Sequence, residues 1–243
     1  MASIYQKIAV VSAGTALSLG LMEVGREAMA ATFTFPPTIT FEVIDGGSGV
    51  PGNNFDGLGD TVFPGNFATV VRGTIGEAAE FAEINISGLS IPSSTVISNA
   101  VFQAQIYSFQ TAGLGVGSEN PGTLGIFGYV GNGIAEASDF EAGRLLNTID
   151  ISSASAGDIL TFEVTAFIQQ LVSNGDSFAG FGIRALNLGA LTLASDNPPN
   201  FPGIPPTLTI ETAAAPESVP EPASVLGILA VGVLVGVSRR SVS

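Results

Sequence analysis

The chain has 243 residues, of which 46% are apolar and 12% charged, and its 21 acidic residues against 7 basic ones give a formal net charge of −14 at pH 7. We expect no nucleic-acid partner. Duplex binding requires Lys and Arg to neutralise the phosphates, and a chain this acidic repels those phosphates. The chain contains neither Cys nor His, which excludes disulfides, Cys- or His-based zinc sites, thiol nucleophiles and Ser-His-Asp triads.

The N-terminus has the pattern of a secretory signal peptide. A lysine near the start precedes an apolar run over 8–22, and Ala28 and Ala30 place small residues at both positions of an A-x-A cleavage site. We therefore predict a signal peptide over 1–31 that is cut after Ala30 or Ala31 once the secretion translocon has exported the chain. The alternative is a buried N-terminal helix.

Residues 32–211 alternate between short strand-like runs and turn clusters rich in Gly, Ser, Thr and Asn. The run over 95–107 has the period of two that is typical of a half-buried strand. Similar runs predict strands over 32–35, 38–43, 123–130, 159–164, 177–184 and 207–210. One helix is predicted over 165–173, ended by Gly175, with a further helical turn around 137–142. We predict an all-β domain, a β-sandwich or jelly roll with this one short helix, between an N-terminal signal helix and a C-terminal transmembrane helix.

A glycine-rich loop over residues 45–60 is the candidate cation site. Ca²⁺ takes about six to eight oxygen ligands, and the loop offers Asp45, Asn53, Asp56 and Asp60. Its spacing does not match the EF-hand pattern. The alternative is a turn-rich loop in which Asp and Asn side chains bind their own backbone, and on that interpretation we expect no cofactor.

Paired carboxylates are the catalytic groups that this composition leaves open. Glu80 with Glu83, or Asp139 with Glu141, would provide the acid and nucleophile of a glycosidase if the two carboxyls stood about 5–10 Å apart across a cleft. A chain this rich in acids produces such spacings by chance, so we expect no enzyme. Tyr129, in the stretch GIFGYVGNG, is the candidate sugar-binding aromatic, and packing into the core is its alternative role.

The segment over 219–243 combines three elements in a fixed order. An extended motif comes first, because each proline fixes its own φ and pushes the preceding residue out of the α region; it consists of Pro220, Glu221 and Pro222. An apolar run over 223–237 follows, predicted as a transmembrane helix although it is shorter than the usual span of about 20 residues. Arg239 and Arg240 then hold the tail on the cytoplasmic side.

This order closely resembles the bacterial and cyanobacterial PEP-CTERM sorting signal. The resemblance implies handling by exosortase, a membrane transpeptidase-like enzyme. It predicts that the segment over 219–243 first anchors the chain in the membrane and is then processed. Residues 212–218, just before it, are predicted to be a flexible linker.

The middle of the chain resembles a second family over residues 60–211. The order seen in DNRLRE-type domains is reproduced here by FAEINISGLS, VISNAVFQAQIY, FEVTAFIQQLV, FAGFGIR and a closing TLTI. Those domains are β-sandwich modules of exported proteins, and some are regarded as carbohydrate-binding. The resemblance therefore implies a β-sandwich and a link to glycans.

Taken together, these features predict an exported, non-enzymatic protein of the cell surface or extracellular matrix, associated with exopolysaccharide or biofilm. A carbohydrate- or calcium-binding adhesin-like module is the alternative, and an acid-pair glycan hydrolase is the third hypothesis. The expected partners are exosortase, the translocon, the membrane and extracellular polysaccharide.

Overall fold

The computed structural model describes residues 30–47, 55–65, 69–91, 95–109, 114, 119–194 and 203–215. Most of the predicted signal peptide lies outside these residues, including Ala28, and so do Asn53 and the whole sorting segment over 219–243. Ala30 directly precedes the first strand, and Ala31 is the first residue of that strand.

Twelve strands and two helices are present within the described residues. In chain order they are β1 (Ala31–Phe35), β2 (Ile39–Gly46), β3 (Thr61–Pro64), β4 (Thr69–Arg72), β5 (Gly76–Asn85), β6 (Thr95–Ser108), β7 (Thr123–Val130), α1 (Asp139–Ala142), β8 (Arg144–Asp150), β9 (Ile159–Glu163), α2 (Thr165–Asn174), β10 (Phe178–Ala185), β11 (Gly189–Leu193) and β12 (Thr207–Ala214).

The strands form one curled, antiparallel sheet. Its order is β1-β12-β6-β11-β4-β5-β10-β7-β8; β9 pairs with β6, β2 with β5, and β3 with β2. The sheet curls far enough for strands that are not neighbours to face one another. The rings of Phe102 on β6 and Phe181 on β10 stack with centroids 4.5 Å apart.

The main core lies inside this curl, on what we call the inner face. Alternate residues of β6, such as Ala104 and Ile106, are buried there together with Phe102 and Phe181. Burying a side chain of this size contributes about 1.5–3 kcal/mol. Alternation with a period of two is therefore what fixes which face of β6 turns inwards.

The helix α2 closes the core at one end. Phe167, Ile168 and Leu171 are its buried residues, and the Phe167 ring meets Phe181 edge-on at 5.7 Å. Gly175 then ends the helix in the left-handed conformation at φ 77°, which glycine adopts without strain. The predicted helix and its stop residue are confirmed.

A smaller apolar cluster covers the opposite side of β2, β5, β10 and β7, which we call the outer face. It consists of Phe41, Val43, Ala79, Phe81, Tyr129 and Phe140. The rings of Phe41 and Phe81 stack at 5.3 Å, and α1 places Phe140 over Phe81 at 6.3 Å. The helical turn predicted around 137–142 is therefore present, and it packs on this face.

The prediction of an all-β fold is confirmed, and the strands predicted from period-two runs are present. Assignment to the sandwich subclass stays a prediction. Strands β3, β4, β5, β8 and β11 were not predicted. The last strand, β12, continues to Ala214, three residues beyond the predicted domain boundary at 211. Among the described residues, no helix is both long and apolar enough to cross a membrane.

Candidate functional sites: buried carboxylates and a sorting motif

The acids of the glycine-rich loop bind backbone N–H groups. Asp45 is fully buried on β2; its Oδ1 accepts the N–H of Asp56 at 3.2 Å and its Oδ2 that of Gly57 at 2.9 Å. The Oδ2 atom of Asp60 accepts the N–H of Gly46 at 2.8 Å. These contacts tie the loop to the end of β2, as expected for Asp side chains in turns.

The same contacts bear on the predicted Ca²⁺ site. Burial raises the pKa of Asp45, and Asp56 and Asp60 raise it further, whereas the two N–H contacts lower it. Within the described ranges, no group of three or more acidic side chains is arranged to hold a metal ion. Asn53 lies outside these ranges, so the calcium assignment stays a prediction.

A row of three residues crosses the outer face. Gly180 on β10 lies between Glu83 on β5 and Tyr129 on β7. A Cβ at position 180 would come within 2.4–2.6 Å of three Tyr129 ring atoms. The missing side chain therefore allows the buried ring to lie across β10, towards Glu83. The structure places the candidate sugar-binding tyrosine in a core, with 4% of its surface exposed.

Glu83 is held by the loop that follows β7. Its Oε2 accepts the N–H of Asn132 at 3.1 Å and also the N–H of Gly133, which has φ +82°. A Cβ at Gly131 would stand 2.8 Å from the carboxyl carbon. Successive N–H groups around one carboxylate form a small anion-binding concavity. Burial raises the pKa of Glu83 and these N–H groups lower it.

The second carboxyl oxygen of Glu83 and the Tyr129 hydroxyl are both buried, and the interaction of this hydroxyl with Glu83 lowers the pKa of the carboxyl. Burial raises the pKa of Tyr129 above its ordinary value, and the neighbouring Asp139 and Glu83 add to that shift. Both groups therefore resist ionisation, which suits a site that excludes water.

The structure separates one candidate catalytic pair and ties the other to neighbouring loops. Glu80 and Glu83 stand three residues apart on a regular strand, so their side chains point to opposite faces of the sheet. In the other pair, Asp139 accepts the N–H of Glu136 at 2.9 Å, and Glu141 accepts the N–H of Gly59.

The pKa of Asp139 is nevertheless shifted. Burial raises its pKa to about 6, and the nearby carboxylates of Glu83, Glu136 and Glu141 add to the shift.

On the inner face, Glu42 lies directly opposite Glu80 across β2 and β5. Burial raises the pKa of Glu42 to about 7, although its Oε2 accepts the N–H of Thr69 at 2.9 Å.

The three arginines of the domain have protein partners. Arg72 donates to Glu77 at 3.0 Å, and Arg144 donates to Gln170 at 2.7 Å. The Arg184 guanidinium lies 3.6 Å from the Phe140 ring centroid and donates to the Phe140 carbonyl. This stacking, with the hydrogen bond, fastens α1 to the outer face.

We expect Arg184→Lys to lower the free energy of unfolding by roughly 1–2 kcal/mol, because an ammonium group does not stack flat on a ring while reaching the Phe140 carbonyl. Urea unfolding of the full chain in mild detergent measures this change. Arg144→Lys is the matched control, since Arg144 is exposed, and we expect it to change stability by less than about 0.5 kcal/mol. Equal losses in the two variants would contradict the role of Arg184.

An open cleft lies where β8, the end of β9 and the start of α2 meet. Its volume is about 260 Å³, and its lining includes Arg144, Leu145, Glu163 and Phe167. Leu145 is half exposed, so the cleft offers an apolar surface between one cation and one carboxylate. The sequence did not indicate this cleft, because its residues come from segments about 20 positions apart.

The C-terminal segment matches a known sorting motif. The profile of the PEP-CTERM protein-sorting motif matches residues 218–241, which include Pro220, Glu221, Pro222, Arg239 and Arg240. This chain carries a PEP-CTERM sorting signal. The signal implies export as a membrane-anchored precursor that exosortase processes. No curated protein matches the chain.

Proposed function

We propose that this PEP-CTERM protein is a non-enzymatic component of the cell surface or extracellular matrix, associated with exopolysaccharide. The sorting motif over 218–241 carries the proposal, because it implies export of the chain through a membrane-anchored precursor. The proposal takes the curled sheet to be a β-sandwich, in line with the resemblance to DNRLRE-type domains.

The use of the acids supports a structural role. Carboxylate oxygens accept backbone N–H groups from loops in Asp45, Glu83, Asp139 and Glu141, and from the end of β2 in Asp60. A hydrogen bond contributes about 0.5–1.5 kcal/mol to stability, and one to a charged group about 1.5–3 kcal/mol. A chain without Cys can thus fasten its loops by contacts that do not depend on redox conditions.

Fractionation of the producing cells tests this proposal. We expect the mature protein in the extracellular matrix, with a mass showing removal of the C-terminal segment, and co-precipitating with the isolated exopolysaccharide. A chain ending at residue 217 is the control and is expected to remain unprocessed and outside the matrix fraction. An intact C-terminus on mature protein in the membrane, or release of new reducing ends from the polysaccharide, would overturn the proposal.

A carbohydrate-binding module is the second candidate, and the cleft lined by Arg144, Leu145 and Glu163 favours it. A glycan array with the full chain tests it, using Leu145→Ala as the cleft variant. Tyr107→Ala is the control, because Tyr107 is the exposed tyrosine of β6 and lies outside the cleft. Binding that Leu145→Ala abolishes and Tyr107→Ala retains supports this candidate. A calcium titration by calorimetry tests the remaining Ca²⁺ prediction.

A further inference from the structure

The two ends of the domain lie side by side. Ala31, the first residue of β1, pairs with Thr212 on β12, and its N–H donates to the Thr212 hydroxyl at 3.1 Å. Two residues later β12 ends at Ala214, opposite Thr95 at the start of β6. The chain therefore enters and leaves the domain at one corner.

The predicted signal peptide and the sorting segment both adjoin this corner in the sequence. The predicted signal peptide, over 1–31, ends where β1 begins. The sorting motif starts at residue 218, so only residues 215–217 separate it from the end of β12. At no more than about 3.6 Å per residue, that spacer keeps the motif within roughly 14 Å of the folded domain.

We propose that the precursor presents this corner to the lipid surface, with the opposite end of the domain directed away from the membrane. The corner is formed by Ala31, Val96 and Thr212–Ala214, and we call it the membrane corner. The inference deepens the proposed sorting role and rests on it, since it requires a membrane-anchored precursor.

The two outer strands at the membrane corner carry little charge. Across β1 and β12, Glu211 is the only ionisable side chain. At the other end of β6, Asp56 and Asp60 lie next to β2 and Asp158 lies beside Ile106. Anionic headgroups repel acidic side chains, so the weakly charged corner is expected to meet the bilayer at a lower electrostatic cost than these loops.

Site-directed labelling tests the orientation directly, because a chain without Cys accepts single cysteines cleanly. Val96→Cys marks the membrane corner and Tyr107→Cys the far end of the same strand. Their exposures are matched at 41% and 39%. The two positions are eleven steps apart along the strand, which is roughly 37 Å. Each labelled full chain is reconstituted in phosphatidylethanolamine–phosphatidylglycerol vesicles that contain a headgroup spin label.

We expect several-fold stronger quenching of the fluorophore at position 96 than at position 107. Equal quenching, or stronger quenching at 107, in a chain that co-sediments with the vesicles would overturn the proposed orientation. A chain that does not co-sediment would instead count against the membrane-anchored precursor, and with it the sorting role on which the orientation depends. The two failures are therefore distinguishable.

The short spacer gives a second test, in cells that contain exosortase. We expect deletion of residues 215–217 to slow processing at least several-fold, because the motif would then start directly at the folded corner. Replacing the same three residues by Gly-Ser-Gly keeps the length, and processing is expected to match that of the natural chain. A deletion variant processed at the natural rate would show that the corner does not limit access to the motif.

Discussion

At pH 8, the Glu42→Gln variant is expected to be more stable than the natural chain by about 3 kcal/mol. This figure follows from the pKa of Glu42, which burial raises from 4.5 to about 7, since one pKa unit corresponds to about 1.4 kcal/mol. The side chain is 4% exposed and lies opposite the buried Glu80. A glutamine keeps an oxygen for the Thr69 N–H and introduces no charge, so the cost of burying a carboxylate disappears.

The sign of the pH dependence follows from the same shift. Because the folded chain holds a proton on Glu42 up to about pH 7 and the unfolded chain only up to about 4.5, folding takes up a proton between these values. The contribution of Glu42 to stability is therefore fully present below pH 4.5 and is lost as the pH rises through 7. The raised pKa values of Asp139, Glu83 and Asp45 act in the same direction.

Urea unfolding of the full chain in detergent at pH 5 and pH 8 measures both effects. The natural chain is expected to be more stable at pH 5, and the advantage of Glu42→Gln is expected to shrink there. Glu119→Gln is the matched control, since Glu119 is exposed and the substitution changes the net charge equally. A similar gain at pH 8 in both variants would attribute the effect to net charge rather than to burial.

Strand β5 explains why part of this fold could not be predicted from the sequence. Its residues GEAAEFAEIN contain glutamates three positions apart, and charged residues are depleted in strands. In the structure this strand is central, with nine of its ten residues buried. Asn132 and Gly133, from a distant segment, donate N–H groups to Glu83 and so offset part of the cost of burying its carboxylate. No local sequence pattern indicates contacts between residues about 50 positions apart.

Elements with a clear period behaved differently. Strand β6 and helix α2 each bury one face in the core and leave the other more exposed. The spacing of their apolar residues therefore indicates the type of element. The sorting signal could be predicted because its three elements are contiguous in sequence. The arrangement of Glu83, Gly180 and Tyr129 could not, because it depends on the register of three strands. The pattern did predict that these residues lie in a β domain, but not that they meet.

Gly180→Ala is expected to lower the free energy of unfolding by roughly 1–3 kcal/mol, the usual cost of overpacking a core. The new methyl group would lie 2.4–2.6 Å from the Tyr129 ring. The ring has little room to move, because it meets Phe81 edge-on at 6.1 Å and is itself buried. The substitution also restricts the unfolded chain, which stabilises by about 0.4–1 kcal/mol and offsets only part of the loss.

Gly88→Ala separates the clash from this backbone effect, because nothing lies within 4 Å of a Cβ at that exposed position. We expect Gly88→Ala to be neutral or slightly stabilising in urea unfolding of the full chain. Combining Gly180→Ala with Tyr129→Leu should cost less than the sum of the single variants, since the smaller side chain makes room for the methyl group. Strictly additive losses would mean that the tyrosine ring does not rest on Gly180, and the row across the outer face would then need a different explanation.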